Sequence, residues 1–219
     1  MAATAQPPLT EATPALRTWQ VLQHEVAECT RCPLHEGRTT AVFGDGDPDS
    51  GFLIVGEAPG RHEDLTGKPF AGATGNLLGN LLAEAGMRRE QTYLVTLVRC
   101  RPPDGRPPQP EEVEACVPYL REQIAALQPR VIVTLGELVT RAVLRRDLPV
   151  SKIAGYRFDL HGATVIPTYD PAAALRGSPT AMAALRRDLR IAKGVLDGRV
   201  ASARDAAVEM RTRQGVAAT

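Results

Sequence analysis

The sequence predicts a three-layer α/β/α sandwich around a mostly parallel central sheet of about four strands. Three observations carry that expectation. Four short, apolar, β-branched runs of strand length recur along the chain. Three of them are nearly continuous in hydrophobic residues, as strands covered on both faces are. Stretches of helical pattern separate them, and that alternation is what a parallel sheet with crossover helices requires.

Taken in chain order, the first run is FLIVG at 52–56, which leads into a loop dense in small and charged residues, GEAPGRHED. The helical stretch TGNLLGNLLAEAG, 74–86, follows. The second strand is read in TYLVTLV, 92–98, with the proline-laden RCRPPDGR behind it. PEEVEACVPYLREQIAAL, 110–127, then carries helical periodicity. RVIVTLG, 130–136, gives a third strand and ELVTRAVLRR, 137–146, a third helix. ATVIPT, 163–168, is the last strand; the chain turns at Asp170-Pro171 into AAALR, which starts like a helix, and PTAMAALRRDLRIAKGVL, 179–196, closes the pattern. A single domain is expected over 16–197, with a flexible segment at 1–15 and a tail at 198–219, because the two ends are Ala-rich and weakly patterned.

With 219 residues the chain can bury one sizeable core. Its 26 Lys+Arg nearly cancel its 25 Asp+Glu, so bulk charge argues for no nucleic acid, membrane or acidic substrate, and any such preference must come from local clustering. The N-terminal stretch has no charged start followed by an apolar run, and no segment approaches the roughly 20 apolar residues of a membrane span. The chain reads as an intracellular protein.

The chemistry should gather at the carboxyl ends of the strands, in the loops after 56, after 98 and after 168. In the first, Gly56, Ala58 and Gly60 let backbone approach a ligand closely. Phe70 sits in a polar, Gly-flanked loop, either as a core plug or as a platform for a planar ligand. Cys29 and Cys32 form a C-x-x-C pair, and Cys100 and Cys116 bracket fifteen residues. Reduced in the cytosol, these four suit an iron–sulfur cluster, a structural zinc, or unrelated buried thiols.

In combination, ECTRCPLHEGRTTAVFGDGDPDSGFLIVGEAPGRHEDLTGKPFAGATGNLL, YLVTLVRCRPP and PTYDPAAALRG closely resemble, in order and separation, the family 4, iron–sulfur type of uracil-DNA glycosylase, from about Cys29 to about Leu189. The resemblance implies the uracil-DNA glycosylase-like fold, a monomeric cytoplasmic enzyme acting at the prokaryotic nucleoid in base-excision repair, and a [4Fe-4S] cluster on Cys29, Cys32, Cys100 and Cys116. It implies uracil-containing DNA, single- or double-stranded, as the partner, and hydrolysis of the N-glycosidic bond with no metal needed for the chemistry itself. A non-catalytic iron–sulfur protein that recognises lesions on the same scaffold is the alternative.

Position by position, the resemblance has Gly56, Glu57 and Ala58 lining the base pocket, Glu63 crowding the uracil C5 edge, and Phe70 stacking the flipped base. Two positions depart from the family pattern. Thr96 stands where an Asn reads the base edge, and Asp170 stands where a His opens the last motif. A His would donate to the anion developing on the base, which an ionised Asp cannot do. Asp170 is therefore a carboxyl kept protonated by burial, an ionised group that positions water and stabilises the sugar cation, or a plain helix cap. Glu57, Glu63 and Asp64 compete for the water-activating role, and Glu57 is favoured because it directly follows the strand. Leu175 and Arg176 are candidates to wedge into the base stack or meet phosphate, Leu175 being equally a core residue by its spacing. Arg99, Arg101 and Arg106, with Lys68, suggest a local basic rim on a nearly neutral chain. His24 and His35, near the C-x-x-C pair, are expected at the surface.

Overall fold

The computed structural model describes residues 18–203. Six strands form one sheet: β1 (Asp45–Gly46), β2 (Phe52–Gly56), β3 (Tyr93–Thr96), β4 (Val131–Leu135), β5 (Phe158–Leu160) and β6 (Ala163–Thr168). The spatial order is β1-β3-β2-β4-β6-β5. The four inner strands run parallel and are the four expected from sequence; β1 and β5 add antiparallel edges. Those edges escaped the sequence reading because two and three partly exposed residues carry no apolar run.

Nine helices occur among the described residues: α1 (Trp19–Ala27), α2 (Leu34–Gly37), α3 (Arg61–Thr66), α4 (Ala73–Glu84), α5 (Pro110–Leu127), α6 (Glu137–Leu144), α7 (Val150–Ile153), α8 (Pro171–Leu175) and α9 (Pro179–Leu196). Local chemistry sets several boundaries. Thr18 and Ser178 cap α1 and α9 through their hydroxyls, and Pro110, Pro171 and Pro179 stand at first-turn positions where the missing N–H costs nothing.

Strand alternation divides the core into two layers. Phe52 and Ile54 of β2 face Leu78, Leu81, Leu185 and Leu189 of α4 and α9, whereas Leu53 and Val55 face Val117, Leu120 and Val139 of α5 and α6. Every residue of β2, β3, β4 and β6 is buried, which is why these strands read as unbroken apolar runs. Each such Leu, Ile or Phe contributes about 1.5–3 kcal/mol by leaving water. A third, smaller core of Leu22, Val26, Leu34, Phe43, Val98 and Tyr119 surrounds Cys100 and Cys116 at one end of the sheet.

The expected flexible segment at 1–15 lies outside the described residues, as does 204–219. The start of the expected tail is docked: Val200 lies against Gly194, and the Ala203 amide donates to the Thr164 hydroxyl at 3.2 Å.

Candidate active site and cysteine cluster

Parallel strands end at one edge of the sheet, and three of these ends build a cavity. Gly56 closes β2 directly opposite Thr96, which closes β3. Beyond β6, Asp170 begins α8. Glu57, Ala58, Glu63, Phe70, Thr96, Asp170 and Arg176 all line this one cavity. Gly136, just after β4, turns the chain at φ 91°, a conformation that favours glycine, and packs beside Asp170, whose Cβ would stand at ordinary contact distance, 3.5 Å, from a Cβ there.

Phe70 is held by glycines on either side of it. A Cβ on Gly56 would come within 2.5 Å of the ring's Cζ, and one on Gly75 within 1.6 Å of the Phe70 carbonyl oxygen. Phe70 itself adopts φ 55°, a left-handed conformation that a bulky side chain rarely enters. Arg89 secures the loop by donating to the Pro69 carbonyl at 2.7 Å. Phe70 is half-buried, packed against the main core and lining the cavity.

Glu63 and Asp64 hold loops in place. The two Glu63 carboxylate oxygens accept from the Gly60 and Gly72 amides, each at 3.0 Å, and so join the turn after β2 to the loop after Phe70. Asp64 accepts from Thr39 at 2.9 Å and Thr40 at 3.4 Å. Of the three acids in the first loop, Glu57 is the one half-buried on the cavity wall with no hydrogen bond to its carboxylate among those described.

Asp170 is the N-cap of α8, its Oδ1 accepting from the Ala172 amide at 2.7 Å. It also lines the cavity, so the cap and the site share one carboxylate. Burial pushes its pKa up, against the pull of the Ala172 amide and the nearby Arg176 charge. Burial, and then the charge of Asp170, push Glu57 up as well. Two acids are thus set close enough to sense each other. Thr96, 2% exposed, donates its hydroxyl proton to the Val98 carbonyl at 2.7 Å.

Around the cavity mouth, Leu175 is 49% exposed rather than part of the core, and Arg176 is exposed beside it. Arg101 stands on the other flank, in an adjoining hollow with Arg106 and Pro102. The basic rim expected from sequence needs a correction at Arg99. That side chain is 2% exposed and donates to the Phe43 carbonyl, the Thr96 carbonyl and the Gln123 side chain, so it braces the end of β3 from inside. Arg106 is forked onto Glu112 at 2.5 and 2.8 Å. Lys68 is exposed, 3.8 Å from Asp45.

Cys29 follows α1, Cys32 precedes α2, Cys100 follows β3 and Cys116 lies within α5. No disulfide joins them, and all four line one hollow with Tyr119 and His35. Among the described residues no three His, Cys, Asp or Glu side chains converge as ligands of a single metal ion do. Burial raises the Cys32 and Cys100 thiols and pushes Cys116 up to about 11. Donors face these sulfurs: the Arg38 guanidinium donates to Cys100 Sγ at 3.3 Å and to the Cys29 carbonyl at 2.7 Å, and the Arg99 amide donates to Cys116 Sγ at 3.3 Å. Sequence reasoning passed over Arg38, since nothing local connects it to a cysteine 62 positions away. His24 is exposed, and His35 holds the Cys32 carbonyl at 2.9 Å through Nδ1.

Residues 43–190 match the family model described as the Uracil DNA glycosylase superfamily. The chain is 44% identical over 159 residues to the type-4 uracil-DNA glycosylase of Thermotoga maritima, covering 72% of this chain and 83% of that protein. It is 42% identical to the type-4 uracil-DNA glycosylase of Pyrobaculum aerophilum, covering 78% and 90%. Similarity to the type-5 uracil-DNA glycosylase of Thermus thermophilus, 39% identical, covers 47% of this chain and 53% of that one.

Proposed function

The chain belongs to the uracil DNA glycosylase superfamily, on its type-4 branch, and we propose that it hydrolyses the bond between uracil N1 and deoxyribose C1′ in DNA, releasing uracil and leaving an abasic site. One observation carries the assignment of residues: Glu57, Phe70, Thr96 and Asp170, drawn from separate loops and strand ends, line a single cavity.

To enter it, the base must leave the helix, at a cost of a few kcal/mol in lost stacking. Phe70 takes over that stacking, worth about 1–3 kcal/mol. Leu175 is placed to fill the gap left in the duplex, and Arg176 and Arg101 to meet phosphates on either flank. The Gly56–Ala58 turn approaches a carbonyl of the base. As the glycosidic bond breaks, its electron pair leaves with uracil N1 and positive charge grows on the sugar. Asp170, ionised, stabilises that cation and orients the water that adds to C1′, while Glu57 takes up the proton the water gives off. Both roles need a carboxylate free of a permanent cation partner, and no salt bridge to Glu57 or Asp170 occurs among those described.

The four cysteines suit a [4Fe-4S] cluster, in which each thiolate binds a different iron and the sulfurs need not converge on one atom. Cys29, Cys32, Cys100 and Cys116 would hold it, and it would act there as a cross-link among α1, the β3–α5 loop and α5. Arg38 and the Arg99 amide offset the negative charge of the thiolates. The protein acts as a cytoplasmic monomer on the nucleoid; no helix among the described residues is long and apolar enough to cross a membrane. The test is a time course at enzyme excess on oligonucleotides carrying one uracil, in single- and double-stranded form. An alkali-labile abasic site is expected, and its absence in both forms would contradict the proposal.

A further inference from the structure

A hydroxyl owns one proton, and at Thr96 that proton is already committed. Thr96 Oγ1 donates to the Val98 carbonyl at 2.7 Å, so it turns only lone pairs toward the cavity. The backbone beside it is committed too: the Leu97 and Val98 amides donate to the Gly56 and Glu57 carbonyls at 2.8 and 3.2 Å. Arg99, pinned to the Thr96 carbonyl, keeps this strand end from shifting. The wall formed by the ends of β2 and β3 therefore holds an acceptor at Thr96 where an amide side chain would offer both an acceptor and a donor.

We propose that Thr96 reads the base as an acceptor alone, selecting the N3–H of uracil and leaving the 4-oxo oxygen unread. The inference rests on the uracil-excising reading above and goes beyond it. Its chemistry matches the lesion. Deamination of cytosine converts ring N3 from a lone pair to an N–H, so an acceptor meets a donor in uracil and another lone pair in cytosine. Cytosine is thereby rejected by repulsion at N3, with no donor needed at position 4. Along this edge Thr96 admits any pyrimidine that carries the N3–H, whatever acceptor stands at C4, and it takes no part in discrimination at C5.

The test compares kcat/KM on oligonucleotides containing uracil, 4-thiouracil or 3-methyluracil, for the native chain and for Thr96→Asn. The native enzyme should treat 4-thiouracil within about threefold of uracil and lose about tenfold or more on 3-methyluracil, whose N–H is replaced. In Thr96→Asn, which restores a donor toward position 4, the 4-thiouracil to uracil ratio should fall about fivefold below the native ratio. Taking that ratio against the native one cancels the different leaving ability of the two bases. Native discrimination of tenfold or more against 4-thiouracil, or native excision of 3-methyluracil at the uracil rate, would overturn the inference while uracil is still cleaved. Failure on uracil itself strikes the functional reading instead.

Discussion

At the scale of single residues, the site is defined by what each polar atom is already doing. Asp170 accepts from the Ala172 amide and still lines the cavity, so the helix cap and the proposed catalytic group are one side chain. Burial raises the pKa values of both Asp170 and Glu57 in the folded state. A carboxyl raised above its unfolded value binds protons more tightly when folded. Its stabilising contribution is complete below the unfolded pKa and disappears as pH rises through the folded one. Asp170→Asn, which keeps the cap and removes the charge, should therefore raise Tm relative to the native chain at pH 8. The difference should vanish toward pH 4, as followed by thermal unfolding across that range. Phe70 allows a second prediction. Phe70→Ala removes the proposed stacking surface, and Gly56→Ala displaces the ring because the new Cβ would stand 2.5 Å from Cζ. Phe70→Ala should lower kcat/KM on uracil by about tenfold or more, and Gly56→Ala should lower it in the same direction.

At the scale of elements, the loops after the strands are positioned by buried acids. Glu63 joins two turns through the Gly60 and Gly72 amides. Replacing it by Gln leaves one oxygen and turns an NH2 group against an amide N–H. Glu63→Gln should cost about 1–3 kcal/mol of stability in denaturant unfolding, with a larger loss for Glu63→Ala. The four inner strands and α4, α5, α6 and α9 were legible in sequence because strands covered on both faces must be continuously apolar and helices must repeat at their own period. The strand end at Gly56 and the turn that carries Asp170 followed from that pattern; Thr96 did not, because the apolar run continues to Val98 while β3 itself stops at Thr96, and only the family resemblance pointed to it. What was not legible is set by contacts distant in sequence. Arg99, in the polar-looking stretch RCRPP, is buried because Phe43 and Gln123 come to it from 56 and 24 positions away. Arg38 reaches Cys100 for the same kind of reason. The short edges β1 and β5 owe their strand form to their neighbours rather than to their own residues.

At the scale of the whole molecule, one sheet carries two sites at its ends and loops. The cysteine hollow is lined from α1, the loop before α2, the end of β3 and α5, over a small core of Leu22, Val26 and Leu34. A cross-link there would add to the hold of this smaller core on the N-terminal segment. With the proposed cluster in place the purified protein should be brown, and Cys116→Ser should bleach that colour, lower Tm by several degrees or more, and expose 18–40 to limited proteolysis first, while the sheet's circular dichroism signal persists. The near balance of charge leaves DNA affinity to a few local contacts. The logarithm of the association constant should accordingly fall only shallowly with the logarithm of salt concentration, and Arg176→Ala should reduce that slope by about 1.

The account turns on the carboxylate at the end of the last parallel strand, and the measurement that reaches it most directly is single-turnover excision of uracil by the native chain and by Asp170→Asn as a function of pH. The native rate should climb to a plateau as a carboxyl with a pKa above the ordinary aspartate range loses its proton. Asp170→Asn should be slower by about a hundredfold or more at the plateau. Excision by Asp170→Asn at the native rate across that range would contradict it.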